Sequence, residues 1–405
     1  MDNRSEFVRL AGQGGVSVAA LCRRFGISRK TGYKWLGRAQ AGEGLSDRSR
    51  RPHASPLRSG PELEAAVLAL RAAHPSWGGR KLRRRLQDLG RSDVPTASTI
   101  TAVLARYGCL GQPDAPSHGF IRFEQPRPNA LWQMDFKGHF ALAAPAAEIE
   151  GEIWGRPDAG GRCHPLTILD DHSRYALCLS ACAQTTTAVV QERLTATFRR
   201  YGLPERINVD NGAPWGHGWA ETPGLAFTPL TVWLLCLGVR VSHSRPYHPQ
   251  TNGKDERFHR TLKRDALHGH AFADLDACQH GFDRFREVYN TQRPHEALGL
   301  AVPASRYHAS PRAFPEVLPP IHYDPADHIR RVQQGGWINF RGRTWRVPKA
   351  FVGQPVALRP TDRDGRFDLV FIAHRLGQID LTQPTSTHPQ PVTYVPEQVL
   401  PLSPV

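Results

Sequence analysis

The sequence predicts a multidomain chain: N-terminal all-α helix-turn-helix modules, an α/β core with a mixed sheet flanked by helices, and a small C-terminal β-barrel. Three observations predict it. Up to residue 110 the apolar residues recur at helical spacing, and positive charge is concentrated there. From Leu131 the period becomes that of strands, with one amphipathic helix pattern over 185–202 between strand segments. Beyond a Pro-rich stretch that follows residue 305, four or five short strands alternate with turn residues.

Of the 405 residues, 52 are Lys or Arg and 37 are Asp or Glu, a formal net charge of +15. Residues 1–125 hold 21 of those cations against 10 acids, so the surplus sits at the front, as expected of a nucleic-acid-binding module. The seven cysteines form no CxxC pair and no zinc-finger spacing, which argues against a disulfide framework and for a reducing compartment. The N-terminus lacks the apolar run of a signal peptide, and no run of about 18 apolar residues is present to span a membrane. The expectation is a cytoplasmic protein with no membrane partner, associated with the nucleoid when bound to DNA.

Residues 1–41 read as three short helices. Ser17 caps the second, Gly26 ends it, and Ser28 caps a third that carries Arg29, Lys30 and Lys34. This is a helix-turn-helix pattern whose basic last helix suits a DNA groove. Residues 42–60 form a basic Gly/Ser/Pro-rich linker. Residues 61–111 form a second helix-turn-helix-like module, with stripes at Leu63, Val67 and Leu70, at Leu82, Leu86 and Leu89, and at Ile100, Val103, Leu104 and Tyr107. Its middle helix carries Arg80, Lys81, Arg83, Arg84 and Arg85, a density that calls for phosphate or acidic partners. The α/β core is expected over 126–305, a small SH3-like barrel over 325–380, and a flexible tail over 381–405. In the barrel, Arg341, Arg343, Arg346 and Arg359 suit either DNA contact or a merely basic packing surface.

Three acids stand where chemistry is available. Asp135 lies inside an apolar strand, where a charge needs a partner or a metal. Asp210 ends the apolar run Ile207–Val209 before the turn pair Asn211–Gly212, and acids at strand ends of α/β sheets face the ligand crevice. Glu256 opens a helix, where the helix dipole favours a carboxylate. Oxygen donors without a His or Cys pair favour Mg²⁺, with Mn²⁺ as a substitute, over Zn²⁺. Two such ions can serve an in-line phosphoryl displacement. Asp255 is the competing acid. It shares a helical stripe with Phe258 and Leu262, whereas Glu256 shares one with Arg260 and Lys263, which selects Glu256. Asp170 and Asp171 read as a hairpin turn, and His243, His248 and His259 as phosphate contacts or local packing.

The segments WQMDF (132–136), ILDDHSRY (168–175), INVDNG (207–212), SRPYHPQTNGKDERFHRTLKRD (244–265) and YNTQRPHEALG (289–299) resemble the retroviral-integrase-like core of bacterial insertion-sequence DDE transposases and the segment that follows it. The resemblance covers about 130–305 and, less sharply, the flanking modules. It implies an RNase H-like fold and a catalytic triad of Asp135, Asp210 and Glu256, with Asp135 bridging two metal ions and Asp210 holding one. It also implies a homo-oligomer on paired double-stranded DNA ends, and strand cleavage with 3′-hydroxyl strand transfer into target DNA. Tyr247, Gln250 and Asn252 match a loop that touches DNA, and Lys254, Arg257, Arg260 and Lys263 are expected at phosphates. Asp255 departs from the pattern, since such chains usually carry an apolar residue there. Forty-five residues separate Asp210 from Glu256, and the excess is assigned to a loop in 213–227; 143–161 is a second inserted loop. The competing readings are a DNA-binding regulator with an inactive core and an RNase H-type nuclease acting on RNA.

Overall fold

The computed structural model describes residues 3–47, 58–110, 123–143, 161–216, 227–244, 253–384 and 388–394. Two compact units are present, Met1–Gly60 and Pro61–Val405.

The first unit contains α1 (Asn3–Gly12), α2 (Val18–Arg24) and α3 (Arg29–Gln40). The Ser17 and Ser28 hydroxyls accept the amides of Ala20 and Thr31, which satisfies donors that a helix start leaves open. Phe7, Leu21 and Cys22 make a small core. Gly32 is required at its place on α3, because a Cβ there would lie 2.5 Å from the Cys22 sulfur. Arg29, Lys30 and Lys34 face solvent, as the helix-turn-helix reading expects. Part of the expected linker is held: Arg4 bonds the Leu45 carbonyl and the Asp47 carboxylate, while 48–57 lie outside the described residues.

The second unit begins with α4 (Pro61–Ala73), α5 (Gly79–Asp88) and α6 (Ala97–Arg106) around Val67, Trp77, Leu82, Leu86 and Ile100. Thr96 caps α6. Leu89, expected in the stripe, is exposed because α5 has ended by then. The core sheet follows: β1 (Trp132–Phe136), β2 (Phe140–Ala141), β3 (Arg162–Asp170), β4 (Ala176–Cys182), β5 (Arg206–Val209) and β6 (Arg240–His243). β3 pairs antiparallel with β1, β2 and β4, while β5 runs parallel to both β1 and β6. This is the mixed sheet of an RNase H-like core. Strand alternation divides its faces. Trp132, Met134, Leu166 and Ile168 pack toward α7 (Thr187–Tyr201) and α8 (Pro229–Cys236). Cys163 and Leu169 pack toward α9 (Gly253–Leu262) and α10 (Leu275–Thr291). The chain breaks between these two helices. A π-turn at Lys263–Leu267 follows α9, Gly269 adopts φ +77°, and the Asp274 carboxylate caps α10 by accepting the Ala277 amide.

The C-terminal strands expected to form a barrel lie in two antiparallel sheets. β7 (His328–Arg331), β10 (Pro355–Pro360), β11 (Arg366–Phe371), β12 (His374–Asp380) and β13 (Thr393–Tyr394) form an open antiparallel sheet in the order β13-β12-β11-β10-β7. β8 (Trp337–Phe340) and β9 (Arg343–Arg346) form a separate hairpin. The hairpin buries Ile338, Phe340 and Trp345 and, among the described residues, is joined to the chain beside β7 and before β13 only by isolated bridges, Gln333–Trp337 and Trp345–Gln390. Phe340 meets Phe367 edge-on at 4.9 Å. The module also shares its core with the α/β sheet, where Phe351 packs on Phe227 at 5.0 Å. The tail expected from 381 is pinned as far as Tyr394 by β13 and the buried Val392. Of the arginines expected on this surface, Arg359 pairs bidentately with Asp327, and Arg341 lies over Phe340 and Phe367.

Candidate active site

β1, the end of β5 and α9 carry the three acids; Asp135 feels the charges of Asp210 and Glu256, but the ligand atoms within 4.8 Å of its own are those of Asp255 and His259. Trp132 and Met134 are committed to the α7 face, so alternation turns Gln133 and Asp135 toward α9. In the parallel pairing of β1 with β5, Gln133 stands opposite Asn208, and Asp135 and Asp210 each follow two residues later at the same level. The Asp135 carboxyl is pushed up to about 7, first by burial and then by the Asp210 charge, with Glu256 adding to it and the Phe136 amide opposing. Burial also raises Asp210, against the Gly212 amide bonded to it at 2.9 Å and the nearby His243. Glu256 remains exposed on the first turn of α9, beside exposed Arg257, Arg260 and Lys263. Asp255, Phe258, Thr261 and Leu262 are buried, so the helix has the phasing expected of it.

The inner face holds a group that sequence reasoning missed. Asp255 is fully buried, and the Thr167 hydroxyl lies 3.0 and 3.1 Å from its two carboxylate oxygens. His259 Nε2 is 2.8 Å from the same hydroxyl and 3.7 Å from Asp255. Burial and the Asp135 charge raise the Asp255 carboxyl well above the usual range, while burial lowers His259 to about 3 and keeps it neutral. Asp135, Asp255 and His259 offer ligand atoms within 4.8 Å of one another. The available signal was the i, i+4 spacing of Asp255 and His259 on a stripe otherwise apolar. His243 is buried, with Nδ1 2.9 Å from the Asp210 carbonyl and Nε2 without a hydrogen-bond partner among the described residues.

Other expected contacts are placed differently. Lys254 is turned inward: its ammonium pairs with the Asp171 carboxylate, reaches the Asp171 carbonyl at 3.2 Å and lies 4.2 Å from the Phe123 ring centre. Burial lowers it to about 8, against the pull of Asp171. Asp170 and Asp171 do form the β3–β4 turn, but both are buried and take several donors. On α5, Lys81 is half-buried and lowered to about 8 by burial, and Arg85 bonds Gln292. Arg80 lies 4.0 Å from Glu296, Arg83 bonds the Pro95 carbonyl and Arg84 pairs with Asp88. The cationic stripe of α5 is thus drawn largely into contacts within the protein. Tyr247, His248, Gln250 and Asn252 lie outside the described residues.

The donor set suits a hard divalent cation: carboxylate oxygens whose ionised forms are disfavoured by burial at Asp135 and Asp210 and, at Asp135, by neighbouring acids, with no nearby Lys or Arg bonded to either among the described residues. No helix among the described residues is long and apolar enough to cross a membrane.

Residues 125–249 and 237–303 match integrase core domain families, and 327–387 match the C-terminal domain of IS481 family transposases. A helix-turn-helix domain family matches 4–53, and a homeodomain-like domain family matches 31–104. An uncharacterized 31.7 kDa protein of insertion element IS407 from Burkholderia multivorans is 24% identical over 47% of this chain and 62% of its own length. An uncharacterized 39.2 kDa protein of element IS476 from Xanthomonas euvesicatoria is 24% identical over 64% of this chain and 69% of its own. The chain thus spans about two thirds of each. The magnesium-bound catalytic core of HTLV-2 integrase is 15% identical over 45% of this chain and 99% of its own length. Its TM-score of 0.29 is too low to carry any geometry over. With an α/β core matching integrase core domains and a C-terminal segment matching the C-terminal domain of IS481 family transposases, the chain resembles the bacterial insertion-sequence transposases with an integrase-like core.

Proposed function

We propose that this chain is a DNA transposase that binds the ends of its mobile element, cleaves strands there and joins the freed 3′-hydroxyl to target DNA, using Asp135, Asp210 and Glu256. The observation that carries this reading is the Asp135 carboxyl, held to about 7 by burial and by the charges of the other two acids. A desolvated Asp135 carboxyl raised by the charges of two neighbouring acids favours a divalent cation. Mg²⁺, or Mn²⁺ in its place, two ions in the full site, would be held by these three acids and would supply charge neutralisation at the phosphate.

The chain's own groups orient and hold. Exposed Arg257, Arg260 and Lys263 on the outer face of α9 are suited to phosphates beside Glu256. Arg29, Lys30 and Lys34 on α3 are suited to a DNA groove. In cleavage, a water oxygen forms the new bond to phosphorus while the bond to the 3′-oxygen breaks, leaving a 3′-hydroxyl and a 5′-phosphate. In transfer, that hydroxyl attacks a target phosphodiester and displaces the target's 3′-oxygen, which takes up a proton. Assembly of several copies on paired ends belongs to the same reading.

The test is cleavage of a duplex carrying the inverted repeats beside the gene, in Mg²⁺ or Mn²⁺. Asp210→Asn is expected to lower the rate at least about 10³-fold, comparable to losing a major electrostatic group of an active site. Wild-type rates in that variant would overturn the assignment.

A further inference from the structure

If the acids act as proposed, Glu256 must be held at a set distance from Asp135, yet it sits exposed on the first turn of α9. A closed ring of buried contacts does that holding. Asp171, 1% exposed, accepts the Gln125 amide at 2.8 Å and the Gln133 side-chain amide at 2.9 Å, and pairs with Lys254. The other end of Gln133 accepts the Asp255 backbone amide at 3.4 Å. The ring therefore runs from the β3–β4 turn through the side chain of Gln133 on β1 to the start of α9, and returns through Lys254. Gln133 stands two residues before Asp135 on the same face of β1, and Lys254 two residues before Glu256. The Lys254 side chain is 12% exposed and capped by Phe123, which leaves its charge little room to meet a phosphate.

We propose that Lys254 and Asp171, bridged by Gln133, are positioning residues that set the separation of Asp135 and Glu256. This rests on the transposase reading. A buried ion pair retained only for stability would make the same contacts, but it would affect melting and leave metal binding alone.

The experiment uses the full chain with Lys254→Met, Asp171→Asn, the double variant and Lys254→Arg. Three quantities are read: Mn²⁺ affinity by calorimetry, Mn²⁺-dependent cleavage of the element end, and the salt dependence of DNA binding. Each single variant is expected to weaken Mn²⁺ affinity and cleavage by about tenfold or more, since a misplacement near 1 Å can cost as much as 10². The double variant is expected to be no worse than the singles, because both break one ring. Lys254→Arg is expected to recover part of the loss, and the salt slope to stay unchanged in all of them.

A salt slope reduced by about one in Lys254→Met, with Mn²⁺ affinity intact, would make Lys254 a phosphate contact and overturn the proposal. Lowered melting with unchanged Mn²⁺ affinity and cleavage would also overturn it. If Lys254→Met does not fold, Lys254→Arg decides: the proposal expects a deficit because a planar guanidinium cannot fill the ammonium's place, and wild-type values would overturn it. A wild-type chain that binds Mn²⁺ but cuts no DNA would defeat the transposase reading, while the Mn²⁺ affinities of the variants would still decide the ring.

Discussion

Two basic helices, α3 and α5, look alike in the sequence and differ in the structure. On α3, Arg29, Lys30 and Lys34 face solvent. On α5 the stripe from Arg80 to Arg85 is engaged within the protein, by Glu296, the Pro95 carbonyl, Asp88 and Gln292, with Lys81 half-buried among them. Beside α5, Arg293, 5% exposed, bonds Asp265 at 2.8 Å and reaches Ser76 at 3.4 Å. Charge density alone therefore does not identify the partner. On α3 the charge is open to solvent; on α5, Arg85 and more loosely Arg80 reach the segment that follows α10, while Arg83 and Arg84 bond within their own module.

The largest expected effect tests the packed side of this comparison. Arg293→Ala leaves Asp265 with only the more exposed Arg264, 3.3 Å away, and should cost about 3 kcal/mol of stability, the low end for a broken buried pair, read by denaturant unfolding. A loss below 1 kcal/mol would show that this contact region does not depend on the pair. Next, replacing Arg29, Lys30 and Lys34 together by Ala should reduce DNA-end affinity by about 10² and lower the salt slope by about 2.7, with the melting temperature unchanged. The same three changes at Arg80, Lys81 and Arg85 should reverse the pattern, moving stability more than the salt slope.

A pH measurement follows. His295, packed edge-on against Tyr289 at 4.7 Å, is lowered by burial to about 3, so the unfolded chain binds its proton first as pH falls from 6.5. Stability contributed by neutral His295 is present above pH 6.5 and is lost progressively toward pH 3, by about 1.4 kcal/mol per pH unit. His295→Phe should flatten that slope; an unchanged slope would assign acid sensitivity to other groups, with His259 the next to examine. The smallest effect belongs to Arg84→Ala, whose partly exposed i, i+4 pair with Asp88 should be worth about 0.5 kcal/mol or less.

Much of the fold was legible because its signals are local. The caps Ser17 and Ser28, the apolar run of β3 and the stop at Gly202 each act within a few residues. At the site, Asp135 and Asp210 could be singled out because an acid within or at the end of an apolar strand is conspicuous in one dimension. The phasing of α9 likewise follows from helix geometry. The failures share one cause. Whether the C-terminal strands close into a barrel depends on how β8–β9 packs, and strand order is a long-range choice. Lys254 looked like a phosphate contact because its partner Asp171 is 83 residues away in the chain.

The sequence by itself determined that one end of the chain would form basic helical modules, that an α/β core would follow, and that Asp135 and Asp210 would be its notable acids. Periodicity, capping and strand-end placement are set by neighbouring residues. Only the tertiary structure decided which cations remain free, what the buried Asp255 touches, and how far the C-terminal strands join the core. Those outcomes depend on which distant groups exclude water from one another, and burial of that kind has no local signature.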